Sequence, residues 1–281
     1  MKEYLKSLLK KFRLYHPLQS TYREGLRWMR IQYLRIAYSP YTTKKPPFFQ
    51  CNFCGASYRK FVPEYPGPDI APAINDNHVI AGFGDNVYCP RCLSRNRERL
   101  LRAVLGTHLS VAGKQVLHFS PEKHLYKFIT AAAAVTTVDL TPGFYRNIDS
   151  SVCYADATNL PFANNSFDIL IANHVLEHIP EDEKAMKEMY RVLCNNGVAI
   201  LQVPYSETLP TTIEEPFIND PARQAALYGQ KDHVRIYAKT DYIQRLRHAG
   251  FNVTPLSPET LAPFRIYAIQ ENECVFLCHK Q

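Results

Sequence analysis

The chain has 281 residues, 46% of them hydrophobic, enough for one sizeable domain with a real core plus a smaller module. No stretch approaches the roughly 20 apolar residues of a membrane-spanning helix. The net charge of +7 is uneven: residues 1–60 carry 13 Lys and Arg against 2 acidic residues, and the remainder carries 20 against 24. The positive charge therefore belongs to an N-terminal arm, which argues against a nucleic-acid groove along the body. The basic start, MKEYLKSLLKKFRLYHPLQS, has no uninterrupted apolar run and no small-residue cleavage site. It is not expected to be a secretory signal, so the expected location is cytoplasmic, with a peripheral membrane position open.

Residues 1–38 have helical periodicity. Leu5, Leu8, Leu9 and Phe12 recur at helical spacing, and a second run repeats the pattern with Tyr22, Leu26, Met29, Tyr33 and Ile36. Such an arm either docks on an anionic membrane surface or acidic partner, or packs on its own domain with Lys and Arg facing water. Packing is the commoner use. The arm is assigned to residues 1–45, and SPYTTKKPPFFQ, whose prolines stop a helix, reads as a linker.

Residues 46–110 contain a cysteine module and a connecting helix. Cys51-Asn-Phe-Cys54-Gly and Cys89-Pro-Arg-Cys92 are separated by 34 residues. Each pair forms a tight turn that can aim both thiolates at one tetrahedral metal, and four thiolates favour a structural zinc with a closed shell. A redox dithiol, a disulfide pair and an iron centre are the alternatives. The arrangement resembles a rubredoxin-like zinc ribbon, whose job is folding and positioning. Cys153, Cys194, Cys274 and Cys278 read as small buried hydrophobes. SRNRERLLRAVLGTHL then reads as a helix with Leu100, Leu101, Val104 and Leu105 on one face.

From Lys114 onward strand-like and helix-like segments alternate. QVLHF, VTTVDL, SVCYA, DILIANH and VAILQVP read as strands; the segments around 121–133 and 181–193 and TDYIQRLRHAGF read as helices; NVTPLS and ECVFLCHK supply two last strands. Alternation of this kind implies a parallel sheet covered by helices. The turn Ser120-Pro121-Glu122-Lys123-His124 follows the first strand, where a doubly wound sheet binds nucleotides. Asp139 ends the next strand, placed to accept hydrogen bonds from ribose hydroxyls. An aspartate there is also an ordinary turn residue.

The following block, YADATNLPFANNSFDILIANHVLEHIPEDEKAMKEMYRVLCNNGVAILQVP, resembles the central part of class I S-adenosylmethionine (SAM) dependent methyltransferases. The resemblance implies an α/β fold for residues 111–281, a Rossmann-like doubly wound sheet of seven strands with the last antiparallel, and SAM as cofactor. It also implies adenine contact by Asp156 beside Ala157, and cofactor contact along Asn173 and His174. The first motif departs from the family's acidic residue and glycine-rich turn: His118, Ser120, Glu122 and His124 stand in those places. Val-Leu-His118-Phe119-Ser120-Pro121-Glu122 is similar to a type 11-like branch written L-H-F-A-P-E, whose preceding C-P-x-C and Arg-rich helix match CPRCLSRNRERLL. On this basis His118, Phe119, Ser120, Pro121, Glu122, Asp139, Leu140, Asp156, Ala157, Asn173 and His174 are the expected cofactor residues.

Methyl transfer to a hydroxyl needs a nearby acceptor for its proton. His174 after the fourth strand and His233 in GQKDHVRIY are the candidate bases, with Asp232 orienting His233 or acting itself. Arg235 and Tyr237 are candidates for substrate contact, and His178 reads as structural. The expected reaction is methyl transfer to an O or N atom of a small molecule or glycan intermediate. An RNA or protein methyltransferase and a non-catalytic SAM-binding scaffold are the alternatives.

Overall fold

A computed structural model describes residues 15–281; the run from Leu5 to Phe12 lies outside the described residues. Its centre is a seven-stranded sheet built from β6 (Gln115–Phe119), β7 (Ala134–Asp139), β8 (Cys153–Tyr154), β9 (Phe167–Asn173), β10 (Leu193–Gln202), β14 (Asn252–Leu256) and β15 (Val275–His279). The strand order is β14-β15-β10-β9-β6-β7-β8. Strands β8, β7, β6, β9 and β10 run parallel, and β15 pairs antiparallel with both β10 and β14. This is the doubly wound arrangement with an antiparallel last strand that the resemblance implies.

Side-chain alternation divides the core between the two faces of this sheet. Leu117, Leu170, Ala172 and Leu201 pack with Met186, Met189 and Leu246 of helices α5 (Asp182–Val192) and α7 (Lys239–His248). Their neighbours Val116, Ile169, Ile171 and Ile200 face the opposite layer, with Leu125 and Ile129 of α4 (Lys123–Thr130). Leu100, Leu101, Val104 and Leu105 of α3 (Asn96–Thr107) join that layer, so this helix, grouped by sequence with the cysteine module, is part of the sheet's packing. After α7 the chain turns at Gly250, where φ is +111° and a Cβ would stand 2.9 Å from the Tyr190 ring, so only glycine fits.

The segment before α3 holds short paired strands: β1 (Phe49–Gln50) with β2 (Ser57–Tyr58), and β3 (Val62–Glu64) with β5 (Gly84–Tyr88). Between them β4 (Val79–Ile80) joins a second, four-stranded sheet with β11 (Tyr205–Ser206), β12 (Ile213–Glu214) and β13 (Arg235–Ala238). The insertion after β10 is thus tied to the cysteine-bearing segment. Two of the four remaining cysteines are not buried as expected. Cys153 is exposed because β8 is a two-residue edge strand, and Cys194 is half-buried with its thiol on the Asn165 carbonyl; Cys274 and Cys278 are buried.

Helix α1 (Tyr15–Ala37) lies on the body of the protein. It docks through Leu34, buried with Val62 and Leu93, and through Arg27, whose guanidinium donates to the Cys92 carbonyl at 2.9 Å. The periodic stripe Tyr22, Leu26, Met29, Tyr33 and Ile36 instead faces solvent, together with Trp28. This described part of the arm packs on the body of the protein with the face opposite to the one its periodicity suggested.

One buried carboxylate gives the fold a pH dependence. Glu273 is 5% exposed; its Oε1 accepts a hydrogen bond from Gln202 and its Oε2 has no partner. Burial pushes its carboxyl up to about 7 from an ordinary 4.5. A carboxyl raised on folding contributes stability below its ordinary value that is lost as pH rises through about 7. Glu273→Gln keeps the Gln202 contact and removes the charge. Urea melts are expected to show the variant more stable at pH 8, by up to about 3 kcal/mol, and equal to wild type at pH 4. Equal stability at both pH values would contradict this.

Candidate active site

The C-terminal ends of β6 and β9 open into a cleft of about 600 Å³. Ser120, Pro121, Glu122, Asn173 and His174 line it from the sheet side. Ser120 and His174 end their strands in left-handed conformations, φ +45° and +58°, which bend the chain away from the strand axes and open the cleft floor. The Ser120 hydroxyl donates to Asp139 Oδ2 at 2.6 Å, and Asp139 Oδ1 accepts from the Thr141 N–H at 2.6 Å. The turn at the end of β6 and the acid at the end of β7 are thereby locked together.

Beneath the turn, His118 is fully buried with Nε2 3.3 Å from Glu122 Oε2. Glu122 Oε1 accepts from Asn173 Nδ2 at 2.6 Å, and Arg97 Nε stands 3.8 Å from it. Burial pushes the Glu122 carboxyl up, but the His118, Arg97 and Asn173 contacts outweigh it and hold the group below its ordinary range. The negative charge missing at position 118 is thus supplied one turn later, by a carboxylate that reaches back under the same loop. His118 Nδ1 and Asn173 Oδ1 are buried polar atoms without a hydrogen-bond partner, and Arg97 Nε has only its ion pair with Glu122.

The other expected cofactor residues are not among those that line the cleft. Phe119 and Ala157 are buried in the core, and Leu140, which follows Asp139, is 62% exposed. Asp156 folds onto its own turn, with Oδ1 accepting from the Thr158 N–H and hydroxyl, both at 2.8 Å. His174 lines the cleft, whereas His233 is buried away from it and Asp232 is on the surface. His174, His178 and His233 surround Glu177; burial raises this carboxyl, and the imidazoles outweigh burial and hold it at about 2.

Arg235 and Tyr237 are not available to substrate. The Arg235 guanidinium is buried and donates to the carbonyls of Leu176, Ile179 and Pro180 and to Glu214, and the Tyr237 hydroxyl donates to Asp182. They pin the second sheet to the turn after β9, an outcome of long-range pairing that local sequence does not carry. What sequence reading missed is the cationic wall of the cleft: Arg95 and Arg97 of the 95–107 segment and Arg27 and Arg30 of α1. The Arg-rich run was visible, but only tertiary packing turns it inward. Glu24 of α1 accepts from Lys123 at 2.8 Å and from Asn147 at 3.0 Å, which sets the helix across the cleft mouth.

Away from the cleft, the thiols of Cys51, Cys54, Cys89 and Cys92 converge, with all four sulfurs within 4.8 Å of one another. Cys51 is 3.7 Å from Cys92, and Cys54 is 3.7 Å from Cys89. A tetrahedron of thiolates at zinc–sulfur distances of about 2.3 Å has sulfurs about 3.8 Å apart. No disulfide links them. Gly55 follows the first pair at φ +70°, and Cys51 O and Cys89 O each accept a hydrogen bond from the tight turn they begin.

Residues 120–201 match the family model described as a methyltransferase domain. This stretch runs from the Ser120 turn to the end of β10, so it includes the cleft floor. Among curated relatives, demethylmenaquinone methyltransferase of Staphylococcus epidermidis is 40% identical over 57 residues, 20% of this chain and 24% of the relative. Ubiquinone/menaquinone biosynthesis C-methyltransferase UbiE of Haemophilus ducreyi is 28% identical over 113 residues, 34% of this chain and 42% of the relative. The chain therefore spans less than half the length of these relatives. A solved complex of the Haloferax volcanii Trm112 methyltransferase activator with a methyltransferase has a chain that overlays 66% of this one and 90% of its own length, at 13% identity and a TM-score of 0.49.

Proposed function

We propose that the protein is a SAM-dependent methyltransferase that methylates an O or N atom of a small molecule or glycan intermediate. The observation that carries this is the tie between Ser120, on the lining of a cleft of about 600 Å³, and Asp139 at the end of the neighbouring strand β7, both within the matched stretch. SAM supplies an electrophilic methyl when bound; the rest is done by the chain. Asp139 holds the ribose hydroxyls, Glu122 and Lys123 offer backbone N–H groups at the start of α4, and the Asn173 side-chain carbonyl, which accepts no hydrogen bond, is free for a polar end of the cofactor. His174, on the cleft wall, is the group placed to take a proton from an acceptor hydroxyl. The arginine wall favours an acceptor that carries negative charge. Calorimetric titration with SAM and S-adenosylhomocysteine tests the reading: stoichiometric binding of both is expected, and no binding of either refutes it.

The cysteine cluster holds structural zinc on this reading, because its sulfurs already have the spacing of a closed tetrahedral shell. The exposed stripe of α1 is a membrane-facing surface. It presents Tyr22, Leu26, Trp28, Met29, Tyr33 and Ile36 to solvent in the segment of the chain that has 13 basic residues against 2 acidic, the pattern of an interfacial helix on anionic lipid. No helix of the described residues is long and apolar enough to cross a membrane. Cosedimentation with phosphatidylserine vesicles is expected to pull the protein down at low salt, and Trp28→Ser with Ile36→Ser to release most of it. Equal binding to neutral vesicles would count against the charge-based reading.

A further inference from the structure

A second constellation stands beside the cleft, where the turn after β9 meets the start of β13. Glu177 has no exposed surface, and neither of its carboxylate oxygens accepts a hydrogen bond. Buried carboxylates are normally paired by donors or bound to a metal. Histidines face this one. His174 Nδ1 is 3.3 Å from Oε1, and His233 Nε2 is 3.9 Å from it. The rings of His178 and His233 meet edge to face with centroids 4.7 Å apart. One donor atom from each of Glu177, His178 and His233 lies within 4.8 Å of the other two.

The outer partners are those of a metal site. His233 Nδ1 stands 3.2 Å from the Tyr228 carbonyl. As an N–H donor to that oxygen it leaves the Nε2 lone pair for the Glu177 side. His178 Nδ1 is 3.2 Å from the Asp232 carbonyl and 3.5 Å from its carboxylate. Carbonyls and carboxylates behind the ring are how proteins fix the tautomer and aim of a ligating histidine. Val234 N–H also donates to the Glu177 carbonyl at 3.0 Å, so the two chain segments that supply the donors are joined by backbone.

We propose that Glu177, His178 and His233 bind one divalent transition-metal ion, distinct from any ion at the cysteine cluster. Two imidazoles and one carboxylate suit zinc, iron(II) or manganese(II) and leave coordination positions open. Donors about 2.0–2.2 Å from an ion are roughly 3.0–3.5 Å apart, so modest side-chain rotation closes the shell. His174 contacts Glu177 and also lines the cleft, which puts the ion one side chain from the place of an acceptor. Nothing in this proposal depends on cofactor binding, because its readout is metal content.

Zinc chloride alone is the probe, since zinc ranks above iron and manganese in affinity for such nitrogen and oxygen sites. The full chain is equilibrated with a small excess of zinc, desalted and analysed for metal. The wild type is expected to retain about one zinc more than Glu177→Gln or His178→Ala, with the second binding event weakened at least about 100-fold in titrations of either variant. The difference between wild type and variant is what counts, so occupancy of the cysteine cluster does not affect it. Glu177 is buried and its variant can misfold; His178 is half-exposed, so its variant decides the matter if its melting temperature stays near wild type. If wild type and His178→Ala retain the same zinc, the proposal fails, and the histidines are then proton-sharing partners of Glu177 only.

Discussion

Removing the zinc proposed for the cysteine cluster is expected to unfold the segment from Phe49 to Arg95 and to loosen the α/β domain beside it. That segment is built of short elements. Its strands are two to five residues long, and its own core is a cluster around Cys51, Tyr58, Phe61 and Cys89. Structural zinc contributes about 10–16 kcal/mol to small cysteine modules, as much as the whole stability of a typical domain. The effect spreads through Arg99. Its guanidinium is fully buried and donates to the Ser94, Asn86 and Val87 carbonyls on the cysteine side and to the Tyr267 and Ala268 carbonyls of the α/β domain. When the cysteine loops loosen, that charge loses several of its acceptors in the interior, a costly state. Chelation, or Cys89→Ser, is therefore expected to release about one zinc per chain and to expose amides of residues 49–95 to hydrogen exchange first, with a lower melting temperature for the whole protein. Native protein with no zinc and a melt indifferent to chelator would overturn the assignment.

Arg99 also marks where sequence stops being informative. The sheet was legible because β6, β9 and the second half of β10 are apolar runs buried on both faces, bounded by turns, and because the cysteine pairs and Asp139 sit at fixed offsets from those runs. Arg99 reads as one more arginine on a basic helix. Its burial depends on carbonyls 168 and 169 positions away, at Tyr267 and Ala268. The same holds for α1. Periodicity shows that the helix has an apolar stripe, but which face docks is decided by Arg27 reaching Cys92, 65 positions on, and by Leu34 entering a pocket with Val62 and Leu93. The departure of the first motif was visible at His118, while its compensation by Glu122 was not. Only the bend at Ser120 shows that a carboxylate from the next turn returns beneath the loop.

The sharpest consequence for function falls on Asp139. Its two oxygens now accept from Ser120 and from the Thr141 N–H, so the carboxylate is held rigid at the strand end where ribose hydroxyls would arrive. Asp139→Ala removes charge-assisted hydrogen bonds worth roughly 1.5–3 kcal/mol each. S-adenosylhomocysteine is expected to bind about 10–100-fold more weakly as a result. Part of any loss could come from a loosened turn, because the Ser120 hydroxyl loses its acceptor. Ser120→Ala separates the two: it breaks the same tie and keeps the carboxylate, and is expected to weaken binding by no more than about tenfold. Glu122→Gln supplies the opposite contrast. It preserves an acceptor for Asn173 but strips His118 and Arg97 of their anionic partner, so it is expected to lower the melting temperature more than Asp139→Ala does while leaving the ribose contact in place. The order of the two effects is what matters. If Asp139→Ala binds S-adenosylhomocysteine within about twofold of wild type while Glu122→Gln abolishes binding, the cofactor sits on the buried network under the loop and not on the end of β7.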